Sequence, residues 1–598
     1  MPILPTSFQL KTEHIMTLQF NVRDYGATGD GHTSDTAAIQ AAIDAAAKAG
    51  GGEVYIPAGT WMLTAGEKPA DGALMLKSNV FIKGDGMGAT VLKLADGSDH
   101  AVTGIIRSAS GEATHDFGVS DLTIDGNRDA TTGKVDGWYN GFLPGKPGQD
   151  SNVTLSGVEI RDCSGYGFDP HERTVNMLIE NSVSHGNGLD GFVADYLIDS
   201  TFRNNLAYDN DRHGFNIVTT THDLALLNNV SHDNGGGGIV VQRGSENIPS
   251  PYHITIEGGE VYGNAAEGVL VKLSNGVDIS GVDIHHNGTS GVRVYGSTDV
   301  EVRGNLIHEN AQKAGIPEVL IQPFDDRGGV SGKVHPADHN TVADNIITGG
   351  DKSTFGVAEE SAQTGNNSVY GNTFAHLQQG PVSLQGANDH VGTNLVVNAI
   401  DGGASADSIN GTAKADSING KEGADTLNGG AGADLLWGGE GHDRLSGGSG
   451  NDTLIGGADA DVLFGGAGSD LFRFASVSDS YRTATASHAD RIADFDTTHD
   501  KIDVSGLGFI GFGDGHDGTL KFTTNAEHSR AYLKDLDPDV QGHRFELVLD
   551  GDFGAGFASK AVVFAESENV QRSLQAAADP VPVEVVGVAL DHPGLGFA

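Results

Sequence analysis

The chain has 598 residues, 88 of them glycine, and a formal net charge of −44. That length is too great for one hydrophobic core and implies two or three domains. The charge excludes a generally basic nucleic-acid binder, although an anionic partner stays open if positive groups line a local groove. The single cysteine, Cys163, forms no intrachain disulfide and reads as a small buried residue. No apolar run reaches membrane-spanning length, and no basic-apolar-small leader opens the chain.

Residues 1–18 carry no clear pattern and read as an N-terminal extension. A helix is predicted over about Asp35–Ala49, with Ser34 as its N-cap, Ile39 and Ile43 on one face and Gly50-Gly51-Gly52 as its stop. A lone amphipathic helix ahead of β-rich repeats fits a cap over the first turn's open edge. This opening resembles the N-terminal segment of the pectate-lyase-like right-handed β-helix superfamily. Residues 75–165 read as irregular early turns with a long excursion around Asn127–Asp150, which carries Lys134, Asp136, Trp138 and Tyr139. That excursion is expected to wall a binding face.

A repeat then sets in. Gly167-Phe168, Gly191-Phe192, Gly214-Phe215, Gly238-Ile239, Gly268-Val269 and Gly291-Val292 are one local pattern, preceded in phase by Asn187, Asn210, Asn234, Asn264 and Asn287. A period in the low twenties with short β segments is how a parallel solenoid reads. The first and third residues after each glycine are apolar or proline and point inward; the second and fourth point outward. That register sets Asp169 and His171 on one outward strand, puts Asp195 beside His171 about 4.8 Å away on the next, and places Tyr166 in the turn over Asp190 and His213. A tyrosine, a histidine and several carboxylates thus converge. Arg107, Lys134, Arg212, Arg243, Lys272 and Arg293 are the cations that could line a groove there, with Asp190 and His213 as further contacts. The catalytic β-helix is taken as 19–400.

From about residue 401 the period is nine: Asp407, Asp416, Asp425, Asp434, Asp443, Asp452, Asp461 and Asp470 recur without a slip. Units such as Gly429-Gly430-Ala431-Gly432-Ala433-Asp434-Leu435-Leu436-Trp437 are calcium-binding nonapeptides of a parallel β-roll, in which glycine turns offer carbonyls and the aspartate a carboxylate. Asp416, Asp425, Asp434, Asp443, Asp452, Asp461 and Asp470 are the expected metal ligands; the copies Gly402–Asn410 and Gly411–Asn419 lack glycines and are expected to bind weakly or not at all. Alternating segments from Asp490 to about Leu549 close a roll taken as 401–550, and acidic self-repulsion should keep it loose until calcium binds. The apolar end of the tail 551–598 looks like a type I secretion signal.

A β-helix followed by such a roll, with Tyr166-Gly167-Phe168-Asp169-Pro170-His171 and Asp190-Gly191-Phe192-Val193-Ala194-Asp195 on its exposed face, closely resembles the secreted, calcium-dependent mannuronan C5-epimerases of alginate-producing bacteria. The resemblance implies an all-β enzyme of one catalytic and one calcium-binding module acting on alginate. It also implies that Tyr166, Asp169, His171 and Asp195 are catalytic, that Lys272 and Arg212 help hold the polyanion, and that the protein is exported through type I machinery to the extracellular space. A monomer is expected, with no nucleic-acid or membrane partner.

Inverting C5 of a uronate requires its carboxylate to be neutralised before the weakly acidic C5–H can leave. Asp169 is the expected neutraliser, its pKa raised by neighbours, with Asp195 orienting His171. The preferred assignment makes His171 the base and Tyr166 the donor, the reverse remaining open. Alternatives are an alginate lyase working through the same carbanion, a hydrolase (for which only Asp325-Asp326 offers a carboxylate pair) and a non-catalytic calcium-dependent adhesin.

Overall fold

The computed structural model describes residues 18–565, apart from 109–112, 141–148, 171–172, 244–249, 314, 328–330, 351, 517, 540, 552 and 554–560. The N-terminal helix runs Thr36–Lys48 and buries Ile39, Ala42, Ile43 and Ala46 against the first turns. Its N-cap is Asp35 rather than Ser34, and the Asp35 carboxylate turns away from the helix to accept the N–H groups of Thr28 and Gly29 at 2.7 and 3.2 Å. The carboxylate thus ties the preceding loop to the helix start.

Among the described residues, two parallel networks of 12 and 26 strands make the solenoid. The 12-stranded sheet carries the glycine repeat, and its register aligns Phe168, Phe192, Phe215, Ile239, Val269 and Val292 in one inward row. The Phe192 ring stacks between those of Phe168 and Phe215, with centroids 4.6 and 4.8 Å apart, so like side chains repeated at one phase become a continuous core column. The phased asparagines form a second column. Each of Asn187, Asn210, Asn234, Asn264 and Asn287 donates its amide to the next asparagine at 2.9–3.0 Å, and Asn310 ends the run on Glu318 at 2.9 Å. These bonds satisfy the buried polar groups of successive turns.

The excursion before residue 150 is more regular than expected. Strand Trp138–Tyr139 is a rung of the same sheet, between Ile106–Ser108 and Phe168–Asp169. Trp138 therefore faces the core, wholly buried, instead of walling a groove. The insertion in this turn, of which residues 141–148 lie outside the described part, hides the strand's period in the sequence.

The roll's two ladders begin at Asn398–Asp401 and Ser408–Asn410 and take in Val562–Val563, past residue 550. The roll lies along the solenoid. Leu435, Ile455 and Ala475 bury against Leu306, Arg473 donates to the Gly304 carbonyl at 2.6 Å, and Ser476 to Glu260 at 3.1 Å. The residues 1–17 of the expected extension and the tail from 566 lie outside the described residues.

Candidate active site

The outward row of the sheet reads Arg107, Tyr139, Asp169, then Val193 and Asn216. Asp169 is buried, 4 % exposed, between Tyr139 and Val193, while Asp195 on the adjoining strand is half-buried. The Asp195 N–H donates to the Pro170 carbonyl at 3.4 Å, bringing the backbone ahead of residue 171 against it. His171 itself lies outside the described residues.

Tyr166 is fixed by its N–H bond to the buried Asp136 carboxylate at 3.0 Å. Its half-buried ring meets two cations: Lys134 Nζ is 4.2 Å from the ring centre, and the Arg212 guanidinium carbon 5.5 Å, with Nη2 3.5 Å from the phenol oxygen. Lys134 is held by Asp136 at 3.1 Å. Arg212 is held by Asp190, whose fully buried carboxylate accepts Arg212 Nε at 2.5 Å, Arg212 Nη2, the His213 N–H at 3.1 Å and Asn216 Nδ2 at 2.7 Å. Those hydrogen bonds to Asp190 raise the arginine further above its usual range. A guanidinium gripped in this two-pronged way has a fixed direction and still reaches solvent.

Asp190, expected among the substrate contacts, is fully buried beneath Arg212 and holds its guanidinium. Sequence spacing told which residues share a turn but not which of them is covered. His213 is partly buried, which pushes its pKa below the ordinary value, and its Nδ1 accepts the Gly237 N–H at 3.0 Å. It is therefore a neutral imidazole whose proton sits on Nε2, available to donate.

Farther along the groove, Gln242 donates to Asn216 at 3.0 Å, and Lys272 lies on the same outward row as Gln242 and Asp195. The hairpin of Phe324–Asp325 and Val334–His335 closes over this end; Lys272 Nζ stands 5.0 Å over the Phe324 ring, which meets Tyr295 edge-on at 5.0 Å. Arg243, half-buried, follows the same strand, its N–H bonded to the Lys272 carbonyl at 3.3 Å. Two other expected cations are engaged within the protein. Arg107 is 1 % exposed, donates to the carbonyls of Thr103 and Ser108, and lies over Tyr139; burial lowers its pKa. Arg293 is spent on Glu267 at 2.8 Å and Gln322 at 3.1 Å. The Asp325-Asp326 pair has Asp325 ion-paired to Arg327, in an exposed hairpin away from Tyr166.

In the roll, the aspartates form two files in which each N–H binds the Oδ1 of the aspartate 18 residues on: Asp425 to Asp443 to Asp461, and Asp416 to Asp434 to Asp452 to Asp470. The second carboxylate oxygens of Asp425, Asp434, Asp443, Asp452, Asp461 and Asp470 are buried without a hydrogen-bond partner. Burial pushes Asp443 and Asp452 up to about 6 and Asp461 to about 9 in the absence of a cation. Rows of orphaned buried carboxylate oxygens beside glycine carbonyls fit calcium. Asp416 does not fit: its Oδ2 accepts the N–H and hydroxyl of Thr412 at 2.6 and 2.7 Å, because threonine stands where the second glycine should. Asp407 is likewise satisfied by the Gly403 N–H at 2.6 Å. Asp490 was missed; its Oδ1 accepts the Asp461 N–H at 2.8 Å and its Oδ2 is orphaned, so it continues the file. The signal was present in Asp490-Arg491-Ile492, which matches Asp443-Arg444-Leu445 but stands off the nine-residue spacing.

Comparison with known proteins agrees with this geometry. A family model described as rhamnogalacturonase A/epimerase, pectate lyase-like, matches residues 19–269, and one for a right-handed beta helix region matches 249–417. The RTX calcium-binding nonapeptide repeat matches 401–436 and 437–472. The β-helix is thus right-handed and the roll takes calcium. Mannuronan C5-epimerase AlgE4 of Azotobacter vinelandii is 51 % identical over 92 % of this chain and 96 % of its own length. AlgE2 of the same organism is 57 % identical, and alginate lyase 7 is 50 % identical. The chain spans 53 % of AlgE2, 29 % of AlgE3 and 62 % of alginate lyase 7. The solved A-module of A. vinelandii AlgE6 superimposes with a TM-score of 0.62 at 54 % identity, covering 63 % of this chain and 99 % of that one. Among the described residues no helix is long and apolar enough to cross a membrane. With AlgE4 matched over 96 % of its length at 51 % identity, the chain belongs to the mannuronan C5-epimerase family.

Proposed function

We propose that this chain epimerises C5 of β-D-mannuronate within alginate to α-L-guluronate. The observation that carries the reading is Tyr166 standing between Lys134 and an Arg212 held by buried Asp190, in the turn that leads into the strand of Asp169, with the strand of Asp195 next to it. The two cations answer the first demand of the reaction, which is to offset the uronate carboxylate so that charge can build on C5. Buried Asp169 adds to this as a hydrogen-bond donor to the same carboxylate. His171 takes the C5 proton, Asp195 orients it, and the electron pair delocalises into the carboxylate. Tyr166 returns a proton to the opposite face, inverting the centre. Lys272 and Arg243 engage the polymer farther along.

Residues 19–400 are read as the catalytic module and the roll as its calcium module. Calcium, when bound, neutralises the roll's carboxylates and holds its turns folded; Asp425, Asp434, Asp443, Asp452, Asp461, Asp470 and Asp490 would hold it. We read the protein as exported by type I machinery and acting outside the cell, in keeping with the nonapeptides.

A second reading is kept because alginate lyase 7 is 50 % identical. There the same carbanion expels the glycosidic oxygen at C4, giving a C4–C5 double bond. Incubation of polymannuronate in D₂O with calcium separates the two: deuterium at C5 without ultraviolet-absorbing ends means epimerase, unsaturated ends mean lyase, and neither would refute both.

A further inference from the structure

A cleft of about 570 Å³ opens where the solenoid meets the roll. From the solenoid it is lined by Gln312, Lys352 and His376, and from the roll by Asn419, Lys421 and Trp437. Of the three tryptophans, Trp61 and Trp138 are wholly buried, whereas Trp437 is half-buried and presents its indole here. The two carboxylates in the wall are occupied. Asp401 is paired with His376 at 3.4 Å and Lys421 at 3.7 Å; Glu309 is paired with His286 at 3.0 Å and accepts Asn419 at 3.3 Å. His376 Nε2 is buried at the cleft without a hydrogen-bond partner. The lining therefore combines an aromatic face, side-chain amides, an unmatched imidazole nitrogen and two ammonium groups.

The cleft also lies in line with Tyr166. The turn holding Gln312 precedes a strand six places along the 12-stranded sheet from that of Phe168, about 29 Å at 4.8 Å per strand. The intervening turns carry Gly236, Ala266 and Thr289, whose backbones bond in succession, so small residues pave the path from Arg212 to Gln312.

We propose that this junction is a second binding site for a uronate residue of the same polymer, roughly six sugars from the reaction centre. A sugar ring packs on Trp437, its carboxylate takes Lys421 and Lys352, and its hydroxyls meet Gln312, Asn419 and His376. Lys421 exchanges its long contact with Asp401 for the ligand. This inference rests on the proposed substrate class, and makes the roll part of the polymer track.

The test uses the full-length protein with calcium. Tryptophan emission is titrated with mannuronate oligomers of four and of twelve residues, and kcat/KM is measured on both. The longer oligomer should shift the emission, the Trp437→Phe variant should lose that shift, and Lys352→Ala with Lys421→Ala should cut the twelve-over-four ratio of kcat/KM about tenfold. A shift that survives Trp437→Phe, or a length ratio unchanged in the double variant, overturns the junction site. If wild-type protein converts neither oligomer, the proposed function fails, while the emission titration still decides binding at the junction.

Discussion

Asp190 shows how one buried carboxylate sets a site's geometry. It has no solvent exposure, yet accepts four hydrogen bonds, two of them from Arg212. Asparagine in its place keeps the shape but removes the charge and one acceptor, so Arg212 loses its fixed direction. A hydrogen bond to a charged group contributes about 1.5–3 kcal/mol. Asp190→Asn should therefore lower kcat/KM on polymannuronate by about ten- to a hundredfold, with the β-sheet circular dichroism retained; unchanged kinetics would mean that Arg212 does not meet the substrate. Tyr166→Phe keeps the ring between Lys134 and Arg212 and deletes the proton donor. It should cut kcat by about 10²–10⁴-fold while leaving KM within a few-fold, as measured by guluronate signals in proton NMR. A large rise in KM instead would make the phenol a binding group. The spacing of the repeat put Tyr166 in the turn over Asp190, and Arg212 bridges the two. Burial is a property of what covers a strand, and so the covering of Asp190 and Arg107 was not legible in the sequence.

At the scale of the repeat, sequence and structure agree most closely where one residue type recurs at fixed spacing. The asparagine and phenylalanine columns of the solenoid and the aspartate files of the roll were all legible, because each turn solves the same packing problem. They became illegible where an insertion breaks the count, as at Trp138 and Asp490. The roll also distinguishes its own copies. Asp443 leaves Oδ2 buried and unpartnered, whereas Asp416 satisfies its Oδ2 internally with Thr412. Asp443→Asn should lose at least one calcium from the stoichiometry measured by isothermal titration, and Asp416→Asn should lose none. Equal losses would show that Thr412 yields to the metal. Chelation should melt the roll ahead of the solenoid, whose core of stacked apolar rows is separate from that of the roll. Each calcium site filled at a hundredfold its Kd stabilises the roll by about 2.7 kcal/mol, so a calorimetric trace with two transitions should merge or draw together as calcium is added.

At the scale of the molecule, nothing in either repeat announced that the roll lies back along the solenoid, because docking depends on single residues outside both periods. The contact is made where a ring column, His185, Tyr208, His232, Tyr262, His285 and His308, ends against Trp437 of the roll, edge-on at 4.0 Å. His308 is 4 % exposed, its Nε2 3.0 Å from Asp283, and burial pushes its pKa down from 6.5 to about 4. Buried, it stays neutral; once the roll leaves or the chain unfolds, it takes up a proton below about pH 6.5. Its contribution is thus whole above pH 6.5 and is lost as pH falls toward 4, by about 3 kcal/mol across that interval. Other groups at the junction titrate too, among them Asp479, pushed up to about 8 by burial. A difference measurement cancels them. His308→Gln retains an N–H for Asp283 and cannot be charged, so its melting midpoint, followed by Trp437 emission at saturating calcium, should match wild type above pH 7. Between pH 6.5 and 4 wild type should fall progressively below the variant. Parallel profiles for the two proteins would mean that His308 is not buried by the roll in solution, and that the two modules move independently.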